Sequence, residues 1–524
     1  LRGYLDEDAL ALVKDGTHMF SFPGLHLTET VDESKNLNLD PSPKVIISAS
    51  GMCDAGRIRH HLKHNLWRPE SAVVFVGYAG QFGWKYGVAA TWAGIGNAIL
   101  GSLVAWVVLG RRTRIMTQAL DSKTMPDFFG QRYGSKALKI VASVIVFVFL
   151  IPYTASVYNG LSRLFGMAFN IPYTWCVIAM AVFTAIYVIL GGYMATAIND
   201  FIQGIIMLFG IVAVIASVLN GQGGFMEAVS KMAQIPSDVP ATMGQPGAFT
   251  SFFGPDPLNL LGVVILTSLG TWGLPQMIGK FYAIKDEKSI NTGTVISTLF
   301  AIVISGGCYF LGGFGRLFDS AEIYNAETGA VVYDSIIPSM LSKLPDILIG
   351  IVVVLVLSAS MSTLSSLVLT SSSTMTLDLL KDNIMKEMSE KKQIITMQIL
   401  IVFFIVVSVV IALDPPTFIA QLMGISWGAL AGAFLAPFLY GLYWKGVTRA
   451  GVWAGFIAGV GITVSNMFIG YIASPINAGA AAMVAGLVIV PLVSLVTPKL
   501  KKEDVDEIFT CYEEKVVSTK KRNL

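Results

Sequence analysis

The stretch from Val356 to Thr374 reads VLSASMSTLSSLVLTSSST, an apolar run crowded with small residues and hydroxyls. A hard cation takes oxygen ligands. On a helix the Ser362 and Thr363 hydroxyls fall close to the carbonyl of Ala359, one turn earlier. These atoms could form part of a sodium site of the kind carriers build from one continuous helix and the broken middle of another. The same composition also serves close helix packing in lipid, with hydroxyls bonded back to the preceding turn. A second stretch, LGGYMATAINDFIQG, sets Gly191 and Gly192 between two apolar segments and Asp200 at the start of the second. Asp200 is either a carboxylate favoured by the helix dipole, worth about 0.3 to 1 kcal/mol, or a cation waypoint at the inner mouth. A third, SLGTWGLPQMIGKFYAIKD, interrupts an apolar helix with Gly270, Gly273 and Pro275. A proline kink alone is common. Three breakers together, with Thr271, Trp272 and Gln276 among them, predict a discontinuous helix that offers polar groups to a substrate.

The elements that must carry these groups follow from composition. The chain has 524 residues, 54% hydrophobic and 13% charged, with a mean hydropathy of +0.66. That is more apolar surface than one soluble core buries. All five histidines lie in the first 64 residues, and the composition changes near residue 70. Beyond it lie eleven apolar segments near the length that crosses a membrane of roughly 30 Å: 88 to 110, 139 to 165, 174 to 192, 197 to 219, 258 to 279, 290 to 314, 346 to 370, 395 to 413, 417 to 443, 451 to 470 and 478 to 497. Residues 72 to 87 offer a shorter twelfth. The expected fold class is an all-α polytopic membrane protein of about twelve transmembrane helices.

Lys and Arg collect in the connections 111 to 139, 280 to 289, 376 to 394 and 444 to 450 and in the tail after 498, whereas the alternate connections hold only Lys231, Arg316 and Lys343. By the positive-inside rule the basic set is cytoplasmic, which places both termini in the cytoplasm and the chain in the plasma (inner) membrane. Cys53, Cys176, Cys308 and Cys511 show no metal or disulfide spacing and read as reduced structural residues. No nucleotide-binding loop is present, and no intramembrane His and carboxylate cluster points to a membrane enzyme. A secondary carrier is the class that remains.

Five segments make that class specific. TMPDFFGQRYGSK (124 to 136), IPYTASVYNGLSRLFG (151 to 166), GGYMATAINDFIQ (191 to 203), GLPQMIGKFYAIKD (273 to 286) and SMSTLSS (360 to 366) stand in the order and spacing of the sodium:solute symporter family, which this chain resembles from about Gly77 onward. The resemblance implies a leucine-transporter-type inverted-repeat bundle that couples Na+ to uptake of a small organic solute by alternating access. It implies Ala359, Ser362 and Thr363 as sodium ligands and Asp200 as the cation-linked aspartate. It puts the solute beside Thr267, Thr271, Trp272, Pro275 and Gln276. Where proline carriers offer aromatic side chains, Thr267 and Thr271 stand here, which argues against proline as the solute. The implied partners are a small-molecule solute and the lipid bilayer, with no nucleic acid, no obligate protein partner and no metal other than sodium.

The first seventy residues obey other rules. PKVIISASGMCDAGRIRHHLKHNLWRPESAVVFVGY reads as a βαβ unit and resembles the RNA-processing metallo-β-lactamase nucleases of the β-CASP group. That family's HxHxDH metal signature is absent, so no nuclease activity is expected. His60 and His64 share a helical face and read as part of an exposed basic surface. The expected organisation is a cytoplasmic β-CASP-like fragment at 1 to 71, a symporter domain at 72 to 497 and a cytoplasmic tail at 498 to 524. On the family pattern the first helix and the cytoplasmic half of the second would be missing, and with them part of the sodium site, so impaired transport is expected. A membrane-tethered nuclease and a non-functional chimera are the alternatives.

Overall fold

The computed structural model describes residues 79 to 513, except 283, 285, 286, 326, 327, 343, 386, 387 and 418, and it describes the backbone but not the side chains at 190 to 203, 287, 288, 322, 358, 383 and 384. These residues belong to the unit Leu66–Leu524. The βαβ reading, the histidines and the end of the tail lie outside the described residues. So does the start of the 72 to 87 segment.

Helices α1 (Ala79–Tyr86) and α2 (Thr91–Gly96) are separated by a 3-10 turn whose Gly87 has φ +61°. A Cβ there would meet the Phe249 carbonyl at 2.1 Å, so both conformation and space require glycine. From α2 the chain runs through π-helical turns into α3 (Arg111–Ala119), then α4 (Met125–Tyr133), α5 (Lys136–Phe169), α6 (Tyr173–Gly221) and α7 (Phe225–Gln234). The second half holds α8 (Pro257–Leu269), α9 (Pro275–Tyr282), α10 (Glu287–Ala301), α11 (Gly307–Gly312), α12 (Ile336–Leu341), α13 (Asp346–Thr374), α14 (Glu390–Leu413), α15 (Ile419–Tyr443), α16 (Arg449–Ile469), α17 (Pro475–Val496) and α18 (Lys502–Phe509). Among the described residues the only β-structure is an isolated bridge between Tyr324 and Val331.

Ten helical spans of this set are long and apolar enough to cross a membrane, and Tyr173–Ile189 adds a shorter apolar one. Each of the eleven long segments expected from hydropathy overlaps one of these spans and extends beyond it by seven residues at most. The described part of the twelfth, α1, is continuous with the span Ala79–Ala119. Large apolar side chains such as Val107, Phe209, Leu258 and Phe468 face outward, as lipid-facing surface does.

Local chemistry sets the helix ends. The Thr124 hydroxyl accepts from the Asp127 N–H at 3.1 Å with Pro126 in the first turn, and Gly134 ends α4 in the left-handed conformation. Asp256 caps α8 ahead of Pro257 in the same manner. One expectation fails here. Gly191 and Gly192 do not separate two helices, because α6 is helical throughout. Glycine costs about 1 kcal/mol in a helix without removing a hydrogen bond, as proline does. Asp200 therefore lies in a helix interior and not in a first turn.

The centre of the bundle is α15, almost wholly buried and packed against α5, α16 and α17. Small residues make this possible. A Cβ on Gly459 would meet the Ala433 nitrogen at 2.1 Å, and one on Gly428 would meet the Gly479 Cα at 2.6 Å. Close backbone approach is how helices gain van der Waals contact in lipid.

Candidate functional site

The hydroxyl-rich stretch lies wholly within α13, which packs against α5 and α6. Ala359, Ser362 and Thr363 are all buried. The Thr363 hydroxyl donates to the Ala359 carbonyl at 3.0 Å, and the Ser365 hydroxyl to the Ser362 carbonyl at 2.9 Å. These are the backbone bonds expected of helix-borne hydroxyls. The Ser362 hydroxyl makes no hydrogen bond among the described residues. From α6, the Tyr187 hydroxyl donates to the Met361 carbonyl at 2.6 Å. A carbonyl and two hydroxyl oxygens thus fall within about one turn of α13, all on buried residues.

The predicted interruption is present. Helix α8 ends at Leu269, a 3-10 turn covers Gly270–Trp272, and α9 begins at Pro275. A Cβ on Gly273 would lie 2.6 Å from the Ala431 Cα, and one on Gly270 would lie 2.8 Å from the Trp427 ring. The break is therefore pressed onto α15. Its polar groups bond across to the segment after α2: Thr271 donates to the Gly101 carbonyl at 3.1 Å and Trp272 Nε1 to the Leu100 carbonyl at 2.9 Å. Asn97 Nδ2 donates to the Thr267 carbonyl at 2.7 Å, while the Thr267 hydroxyl turns back to Val263.

Gln276 differs from its neighbours. It is 4% exposed, and neither its amide oxygen nor its amide nitrogen has a hydrogen-bond partner among the described residues. The Ser268 hydroxyl is buried and unpartnered as well. Buried polar groups are nearly always bonded, so these atoms hold unused hydrogen-bonding capacity. Pro275 is buried beside them. Helix α9 packs directly against α13, although no hydrogen bond joins the residues of the break to Ala359, Ser362 or Thr363 among the described residues. The Asp200 side chain lies outside the described residues.

Sequence reasoning missed a charged cluster that ties these helices together. Lys139 Nζ lies 2.7 Å from Asp127 Oδ1, 2.5 Å from Asp382 Oδ2 and 3.3 Å from Asp378 Oδ1. Thr124, already the cap of α4, donates its hydroxyl to Asp378 Oδ2 at 2.6 Å, and its carbonyl accepts from the Tyr282 hydroxyl at 3.3 Å. Asp378 sits on the π-helical continuation of α13, and Tyr282 ends α9. The helix with the clustered hydroxyls and the helix with the break therefore meet at Thr124. A signal was available: Asp378 and Asp382 are four residues apart, on one helical face.

Residues 69–459 match the model of the sodium:solute symporter family, and residues 2–82 match that of the Beta-Casp domain. The two matches overlap at 69 to 82. A sodium/proline symporter of Staphylococcus aureus is 31% identical over 435 residues, which cover 80% of each chain. Among solved structures, a Na+-coupled sialic acid symporter in a substrate-bound, outward-open state superimposes with a TM-score of 0.63 at 13% identity, covering 82% of this chain and 88% of that one. At that identity the likeness concerns the fold, the inverted-repeat helical bundle expected from the motifs.

Proposed function

The chain belongs to the sodium:solute symporter family, and from that premise we propose that α13 holds its coupling sodium while the break between α8 and α9 receives its solute. Sodium-coupled symport across a membrane is its activity, with Na+ as the coupling ion. In the proposed site the Ala359 carbonyl and the Ser362 and Thr363 hydroxyls are sodium ligands, and Asp200 is a cation waypoint. Thr267, Thr271, Trp272, Pro275 and Gln276 contact the solute. The observation that carries this reading is Gln276, a buried amide with no partner in the first turn after a broken helix that packs on α13. Both chain ends are assigned to the cytoplasm by the distribution of basic residues.

The solute is a small amino acid. Relatives at 31% identity are sodium/proline symporters, and the threonines at 267 and 271 make the pocket more polar than one lined by aromatic rings. The preferred solute is therefore a small amino acid other than proline. The nuclease alternative is not supported: the Beta-Casp match ends at residue 82, and the chain contains no HxHxDH sequence.

A competition assay tests the reading. Full-length protein in proteoliposomes is given an inward sodium gradient and labelled glycine, L-alanine, L-serine or L-proline. Uptake of one of the first three above L-proline, lost in Gln276→Ala, is the expected result. Uptake of none of the four, or uptake unaffected by Gln276→Ala, contradicts it.

A further inference from the structure

At the other end of α5 from Lys139, a cavity of about 300 Å³ lies between that helix and the connection to α12. Arg163 and Lys139 are about 36 Å apart along α5 at 1.5 Å per residue, more than the ~30 Å of a hydrocarbon core. The cavity and the Lys139 cluster therefore lie at opposite faces of the membrane. Ser162, Arg163, Tyr173, Asp334, Ser339 and Ser342 line the cavity.

Two opposite charges share this cavity with incomplete pairing. Arg163 donates its Nε to Asn159 Oδ1 at 2.7 Å and lies over the Tyr173 ring at 5.5 Å, but it approaches Asp334 Oδ2 only to 4.0 Å. Its side chain is 31% exposed, and its Nη nitrogens make no hydrogen bond among the described residues. Asp334 is 2% exposed; its Oδ2 accepts from the Ile419 N–H at 3.3 Å, and its Oδ1 has no partner among the described residues. The Ser162 hydroxyl and Asn159 Nδ2 are also buried without partners. A carboxylate with an unpaired oxygen thus stands beside a planar fork of donors suited to another carboxylate.

We propose that this cavity is an outer subsite for a small zwitterionic amino acid, whose ammonium meets Asp334 and whose carboxylate meets the Nη nitrogens of Arg163. The proposal rests on the reading that the transported solute is an amino acid, and it gives the chain a place that recognises both charges before the solute reaches the helix break. A cavity of this volume is at the small end for ligand pockets, which run to roughly 1,000 Å³, so a compact solute fits. Specificity follows from pairing: a monocarboxylate leaves Asp334 unanswered, a simple amine leaves Arg163 unanswered, and a sugar answers neither.

The test uses full-length protein in proteoliposomes and initial rates of uptake of the best amino acid of the four above. Arg163→Gln and Asp334→Asn are each expected to raise KM about tenfold with the maximal rate retained, and Arg163→Lys to recover part of the loss. Ser162→Ala, which removes a hydroxyl bonded to nothing, is the variant least able to disturb folding and is expected to raise KM about threefold. Values within the error of the wild type for Ser162→Ala and within twofold for the charged variants overturn the subsite. If Gln276→Ala still abolishes uptake in that case, the proposed function stands. Uptake of none of the four amino acids removes both.

Discussion

The Thr363 hydroxyl donates to the Ala359 carbonyl across 3.0 Å, so two of the three proposed sodium ligands satisfy one another within a single helical turn. A cation bound there takes over both oxygens, while the Ser362 hydroxyl makes no hydrogen bond among the described residues and needs to give up none to coordinate. Ser362→Ala should therefore leave the melting temperature of the protein unchanged but raise the sodium concentration for half-maximal uptake about tenfold, a loss of ~1.4 kcal/mol. Ser373→Ala, further along the same helix, is the control and should change neither. A sodium dependence unaltered by Ser362→Ala removes that residue from the site.

Gln276 should show opposite effects on stability and function. Leaving its amide unbonded inside the protein costs about 1 to 3 kcal/mol, so Gln276→Met, of similar volume, should raise the thermal unfolding temperature of the solute-free protein and still lose uptake. A purely structural glutamine would lose stability and uptake together. Unfolding followed in detergent alongside vesicle uptake separates the two cases.

The Lys139 cluster should behave as a clasp that depends on charge balance. Lys139→Gln leaves Asp127 and the nearly buried Asp378 without their shared cation, and breaking a buried pair typically costs about 3 to 5 kcal/mol. Stability should fall sharply in Lys139→Gln and recover in part in Lys139→Gln with Asp378→Asn. Asp382→Asn should be mild, because that side chain is 46% exposed and exposed pairs contribute little. A double variant no more stable than Lys139→Gln alone would argue against charge as the cause.

These cases divide according to what the sequence can express. The break after Leu269 is legible because Gly270, Gly273 and Pro275 act through the backbone, and the hydroxyls of α13 are legible because helical spacing brings neighbours in sequence together. The Lys139 cluster is not, since Asp382 lies 243 residues from Lys139 and Asp378 lies 254 residues from Thr124, and only the fold brings them to one point. Arg163 and Asp334 escaped notice for the same reason. The Gly191–Gly192 reading fails for a different one: glycine weakens a helix without forbidding it, so a pair of glycines predicts a boundary less well than glycine with proline.

Stability should also depend on pH through Asp334. Burial pushes its carboxyl up from the usual 3.8 to about 6, against the opposing pull of Arg163 and the hydrogen bond from the Ile419 N–H. Between roughly pH 4 and 6 the folded protein holds a proton at Asp334 that the unfolded chain has released, so stability falls as pH rises through this window and is flat above it. A shift of about two pKa units corresponds to at most about 3 kcal/mol. Melting curves from pH 4 to 7, compared between wild type and Asp334→Asn, isolate the contribution from other titrating groups. The slope should disappear in the variant; an identical slope in both contradicts the assignment.

The central claim is that α13 holds the coupling ion. Its most direct test is equilibrium binding of radioactive sodium to the purified full-length protein, measured for the wild type and for Ser362→Ala with Thr363→Ala. The account predicts saturable binding in the wild type and its loss in the double variant, with both proteins folded. Sodium binding of equal affinity in the two would contradict it.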